Sequence, residues 1–157
     1  PVLLGDDGDR FVPEGVGVYG CTAGSVGEWG QYWLGYSGDR DHAGTDWEMV
    51  MLRLAGGAPV VAVYAQHRWC RALAWSLVEQ EDAHPVVYVG RDKHASYFRR
   101  GWHRHGLHLE RANGRTRIPA PLRVEVPEAV RERQAYRDPD AWIAARLRGW
   151  RPRALRT

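Results

Sequence analysis

Three short apolar runs in the middle of the chain set the limits on what it can fold into. DWEMVMLRL (46–54), PVVAVYAQH (59–67) and HPVVYVG (84–90) are each too short for an independently stable helix, and each ends against glycine, proline or polar residues. The two later runs are rich in valine. All three therefore read as strands. In the first, side chains alternate, so Asp46, Glu48, Val50, Leu52 and Leu54 share one face while Trp47, Met49, Met51 and Arg53 share the other. The segment QYWLGYS (31–37) carries the same two-residue period, with Tyr32, Leu34 and Tyr36 set against Trp33 and Gly35.

The remaining segments fit around these strands. The first thirty residues are dominated by glycine and aspartate, which calls for turns and short strands. SGDRDHAGT (37–45) has no periodicity and reads as a loop. In WCRALAWSLVEQED, Leu73, Leu77 and Val78 stand at helical spacing, so this stretch reads as a short helix or a decorated loop. RANGRTRIPAPLRVEVP predicts an Asn-Gly turn and proline breaks before a short strand at 122–126. From Glu128 the chain reads as helical, with Asp138, Pro139 and Asp140 as start signals, Gly149 as a stop, and Trp142, Ile143, Ala145 and Leu147 as an apolar stripe. The expected fold is mainly β and β-sandwich-like with C-terminal helices, with an α+β arrangement as the fallback.

The 157 residues suit a single domain, divided into a β core over 1–100 and an Arg-rich extension with helices over 101–157. With 44% hydrophobic and 26% charged residues, the composition excludes wholesale disorder, collagen and coiled coil. No apolar run is long enough to span a bilayer, and PVLLGDDGDR lacks the basic start of a signal peptide, so a soluble, cytoplasmic protein is expected. Eight Trp and seven Tyr against two Phe give most aromatic rings a polar handle suited to half-exposed surfaces and polar pockets.

Charge is unevenly distributed. Residues 1–98 hold 7 basic and 13 acidic side chains, net −6, whereas residues 99–157 hold 15 and 6, net +9. Such a basic half can meet an anionic lipid surface, an acidic partner or the acidic half of its own chain. No zinc-finger spacing, RNA-binding aromatic signature or P-loop accompanies it, so nucleic acid is not the indicated partner. Cys21 and Cys70, the two cysteines, lack metal or redox spacing and read as reduced thiols, with Cys70 between Trp69 and Arg71 a minor nucleophile candidate.

The sharpest constellation is HAGTDWE (42–48). On a strand, Asp46 and Glu48 point the same way about 7 Å apart, close enough to divide acid and base roles or share a divalent cation. Mg²⁺ or Ca²⁺ suits carboxylates with waters, and added imidazoles shift the preference toward Mn²⁺ or Zn²⁺. His42 can fold back over the pair. His67 closes one neighbouring run and His94 follows another, so strands adjacent in one sheet would bring Asp46, Glu48, His42, His67 and His94 to a common rim. The candidate catalytic residues are Asp46, Glu48, His94 and His67, and the candidate metal ligands are His42, Asp46, Glu48 and His94. His103, His105 and His108 form a separate group whose H-x-H spacing would put two imidazoles on one strand face, able to bind a transition metal, but with Arg104 between them the group reads as an exposed basic loop, some members of which can line the rim.

The order of DWEMVMLRL, PVVAVYAQH, Trp75, HPVVYVG and KHASYF resembles the bacterial members of the family named for vacuolar protein sorting-associated protein sixty-two, whose hallmark runs HEGDWE, Ser-Gln-His, Gly-Ser-His-Ala. The DWE core is also similar to the GHRHDWE heptapeptide of necrosis- and ethylene-inducing toxins. The likeness covers roughly residues 1–100 and carries the family motif onto His42, Asp46, Trp47, Glu48, Gln66, His67, His84, His94, Ala95 and Tyr97, with Thr45 an added residue. The toxin resemblance implies a β-sandwich that holds a divalent metal and meets lipid head groups.

Two functions compete. The first is a small-molecule enzyme that performs hydrolysis, elimination or cyclisation on a partly apolar, oxygenated substrate, walled by Trp33, Tyr36, Trp47, Gln66, Trp75 and Tyr97, with at most a divalent metal and no organic cofactor. The alternative is a metal-dependent binder of lipid or glycan head groups acting at membranes.

Overall fold

The computed structural model describes residues 2–5, 11–24, 27–36, 45–91, 93–105, 107–114, 116–117 and 126–147, with the backbone path alone for 11–24, 27, 105, 108, 116 and 117. The expected mainly β fold with C-terminal helices is what forms. One five-stranded antiparallel sheet runs in sequence order through β2 (Phe11–Gly24), β3 (Gly27–Tyr36), β4 (Asp46–Ala55), β5 (Ala58–Gln66) and β6 (Trp69–Ala74). The Gly56-Gly57 pair makes the β4–β5 hairpin because both residues take positive φ, +57° and +78°, as the tightest hairpin turn demands.

A second sheet joins β1 (Val2–Gly5), β7 (Gln80–Glu81), β8 (His84–Val89), β9 (Ser96–Tyr97) and β12 (Thr116–Arg117). Its centre is a parallel pairing of β1 with β8, Leu3 opposite Val87. The sheets face each other across a core of Leu34, Tyr36, Val50, Leu52, Ala62 and Tyr64 from the first and Leu3, Val87 and Val89 from the second. Tyr64 donates its hydroxyl across this core to the Val86 carbonyl at 3.0 Å and stacks on Phe98 at 3.7 Å. A buried hydroxyl needs such a partner, and this one ties the two layers in register.

The opposite face of the first sheet is covered by α1 (Glu128–Arg131), α2 (Gln134–Arg137) and α3 (Pro139–Arg146). Trp29, Trp33, Met49, Met51, Val63 and Cys70 meet Val130, Ala135, Trp142 and Ile143 there. Asp138 caps α3 by accepting from the Ala141 amide, with Pro139 in the first turn, as the start signals predict. The Trp29 indole donates to Asp140 at 3.0 Å and Gln31 to the Tyr136 carbonyl at 3.3 Å, which orients the helices on the sheet. Among the described residues no helix is long and apolar enough to cross a membrane.

Three local expectations change. Residues 69–74 form the edge strand β6 rather than a helix, because a two-residue turn at His67-Arg68 lets them pair with β5 from Gln66↔Trp69 to Val61↔Ala74; only Trp75–Leu77 coils, as a single 3₁₀ turn. Ladder pairing outweighs a weak helical spacing. The histidine-rich stretch is a hairpin of β10 (Gly101–His105) and β11 (His108–Ala112), not a loop. The expected Asn-Gly turn does not form: 113–114 is irregular backbone between β11 and β12 of a different sheet, and Gly114 lies against the Gly5 backbone. The strand expected at 122–126 falls outside the described residues save for Val126, which lies in no strand.

Candidate acid–base site

Strand parity places the two carboxylates. Asp46 and Glu48 lie at the start of β4 on the face turned toward the second sheet, opposite Tyr36 and Leu34 of β3 in the antiparallel register. Glu48 is only 6% exposed. Burial pushes its carboxyl well above the usual 4.5, the nearby Asp46 and Glu110 carboxylates push it the same way, and the Arg133 guanidinium offsets them only in part. Glu48 thus favours its protonated form.

His94 reaches Asp46 from the other sheet. After β8 the chain turns at Gly90, whose amide donates to the Ala95 carbonyl while the His94 amide donates to the Gly90 carbonyl. His94 itself takes φ +57°, an uncommon conformation for a residue with a Cβ. The turn aims the imidazole inward, where Nδ1 lies 3.2 Å from Asp46 Oδ2 and the ring stacks on Tyr36 at 4.2 Å and 2° between planes. With Nδ1 donating to the carboxylate, Nε2 is left as the acceptor.

A second hydrogen-bonded group adjoins this one. Glu110 on β11 is 6% exposed, and its Oε2 is shared by His67 Nε2 at 3.0 Å and the Tyr97 hydroxyl. Among the described residues its Oε1 has no hydrogen-bond partner, and it rests against Gly90, where a Cβ would fall 2.3 Å away. Tyr97 stacks on His103 at 3.8 Å, and the Gln66 amide donates to the Ser96 carbonyl at 3.2 Å. Burial, reinforced by Glu110, drives the Tyr97 hydroxyl far up, so it acts as a donor. Burial also lowers His103, against the opposing pull of its bond to the Arg99 carbonyl.

Asp46, Glu48, His94 and Tyr36 therefore meet, with His67, Gln66 and Tyr97 in the adjoining group. The route differs from the expected one: β8 is not a sheet neighbour of β4, and His94 arrives from the facing sheet. Of the expected aromatic walls, Trp33 and Trp47 pack on the helix side of the first sheet. Trp75 follows Ala74, which pairs with Val61 beside Arg53, roughly 20 Å along β4 from Asp46 at strand spacing. His84 is exposed in the β7–β8 hairpin, and His42 lies outside the described residues.

Glu110 is the residue that sequence reasoning misses, while His103, expected in an exposed basic loop, comes to the rim of this group. The signal was present as the alternation of HLERA and GWHRH, which puts these two residues opposite each other in one hairpin. Among the described residues no three His, Cys, Asp or Glu side chains are arranged to hold a metal ion. Asp46 engages the His94 imidazole, and Glu48 is buried on the same strand face. Cys70 is a free, fully buried thiol pushed up to about 12 by burial, with Arg146 only partly opposing, which removes it as a nucleophile. No family model, curated protein or solved structure matches the chain.

Proposed function

We propose that this chain is a small acid–base enzyme acting on a partly apolar, oxygenated small molecule by hydrolysis, elimination or cyclisation. The observation that carries the reading is a buried carboxyl that favours its proton, Glu48, on the same strand face as the Asp46–His94 couple. Carboxyl groups whose surroundings give them different tasks are the usual sign of acid and base assignments. In this reading Glu48 protonates the departing or electrophilic oxygen. His94 Nε2 takes the proton from an attacking water or from carbon, and Asp46 stabilises the imidazolium that results. Tyr36, stacked beneath His94, holds the ring plane.

The test begins with the proton. Isotope-edited infrared spectra of wild type and Glu48→Gln at neutral pH should differ by a protonated carboxyl band, and its absence from the wild type would sink the assignment. A panel of aryl esters, lactones and epoxides then reads chemistry. Turnover that Glu48→Gln and His94→Asn each lower by about 10²-fold or more is expected, and equal turnover in wild type and both variants would refute the roles.

A further inference from the structure

We infer that the outer face of the β10–β11 hairpin docks this protein on an anionic lipid bilayer. The inference is independent of the proposed chemistry. Strand pairing sets Trp102 beside Arg111 and Arg104 beside Leu109, so these four side chains share one face of the two-stranded sheet. The other face carries His103 and Glu110, which are spent on contacts with Tyr97, His67 and Gly90. One alternation thus builds the site inward and leaves an exposed apolar and cationic face outward.

That outer face is unusual for its exposed apolar content. Trp102 is 62% exposed, Leu109 62% and Leu107, at the turn, 94%; these are three of the five large hydrophobics left exposed among the described residues. Arg99 and Arg100 are exposed just before the hairpin, and from 99 to 109 the sequence has no acidic residue. Apolar side chains at and beside the hairpin turn, a Trp whose indole suits the head-group boundary, and a cationic surround match an anionic bilayer in charge and in chemistry.

The full-length chain is to be co-sedimented with phosphatidylcholine vesicles, with and without about 30% phosphatidylserine, at physiological salt. Binding that requires phosphatidylserine is expected, and a Leu107→Ser/Leu109→Ser variant and an Arg99→Gln/Arg111→Gln variant should each lose about tenfold or more in affinity. Trp102→Phe, which keeps the ring and the fold, should weaken the quenching of protein fluorescence by vesicles with brominated acyl chains. No binding to the phosphatidylserine vesicles, or undiminished binding by both multiple variants, would overturn the inference. Failure to bind vesicles together with a dimer that the leucine variant dissociates in sedimentation would assign the face to a second copy of the chain instead.

Discussion

His94 and Asp46 meet from opposite sheets, Nδ1 to Oδ2 at 3.2 Å, and their contact is braced from below by Tyr36, which is both the stacking partner of the imidazole and the cross-strand partner of Asp46. The three side chains fix one another, since the ring cannot tilt without losing the stack or slide without losing the carboxylate. His94→Asn keeps a residue that tolerates the +57° backbone while removing both contacts. A loss of about 1–3 kcal/mol in urea unfolding is expected, with a non-zero coupling to Asp46→Asn in a double-mutant cycle. Strict additivity of the two substitutions would contradict the bracing.

Glu48 should leave a mark on the pH dependence of stability. Because the folded chain holds this carboxyl well above the value of 4.5 that it has when exposed, the native state carries an extra proton between that value and its own. Stability contributed below 4.5 is therefore lost as pH rises through the interval. Glu48→Gln removes that slope, so the variant gains on wild type as pH increases. Parallel curves in denaturant titrations across this range would show that the carboxyl is not held protonated.

His103 acts in the opposite sense. Burial lowers its folded value below 6.5, so the unfolded chain takes up the proton first and stability is lost as pH falls from about 6.5 toward the folded value. His103→Gln should flatten this acid limb without removing the slope of opposite sign that Glu48 imposes. Thermal unfolding followed from neutral to mildly acidic pH reads the difference.

Gly90 leaves the space that Glu110 fills. A Cβ there would stand 2.3 Å from Oε1 and 2.5 Å from the carboxyl carbon. Gly90→Ala should cost about 1–3 kcal/mol through overpacking. Combining it with Glu110→Ala should cost less than the sum of the two, because the second change removes the obstructing carboxylate. A full sum would place the strain elsewhere.

Cys70 should be inert while the chain is folded. In a Cys21→Ser background, a thiol-specific chromogenic reagent at mildly alkaline pH should react with Cys70 only at the rate at which the chain opens, since the thiol is buried and pushed up to about 12. Rapid reaction of the native protein would show a reachable thiolate.

Much of the sheet was legible because strand alternation is a local property. The runs at 46–54, 59–67 and 84–90 become β4, β5 and β8 with ends shifted by a residue, and the face shared by Asp46, Glu48, Val50 and Leu52 is the one that meets the second sheet. Residues 69–74 misled because a short apolar spacing fits a helix until a neighbouring strand offers hydrogen bonds along its whole length.

The order of side chains along each strand, and so the company that Asp46 keeps with Glu48, was decided by the amino-acid sequence through the two-residue repeat of extended backbone. Which sheet delivers His94, why His67 turns to Glu110, and which indoles end beneath the helices rather than beside the carboxylates were decided only when the layers packed. Those outcomes depend on contacts between residues such as Asp46 and His94, or His67 and Glu110, that lie far apart in the chain. Burial, which raises the Glu48 pKa, belongs to the assembled core and to no single segment.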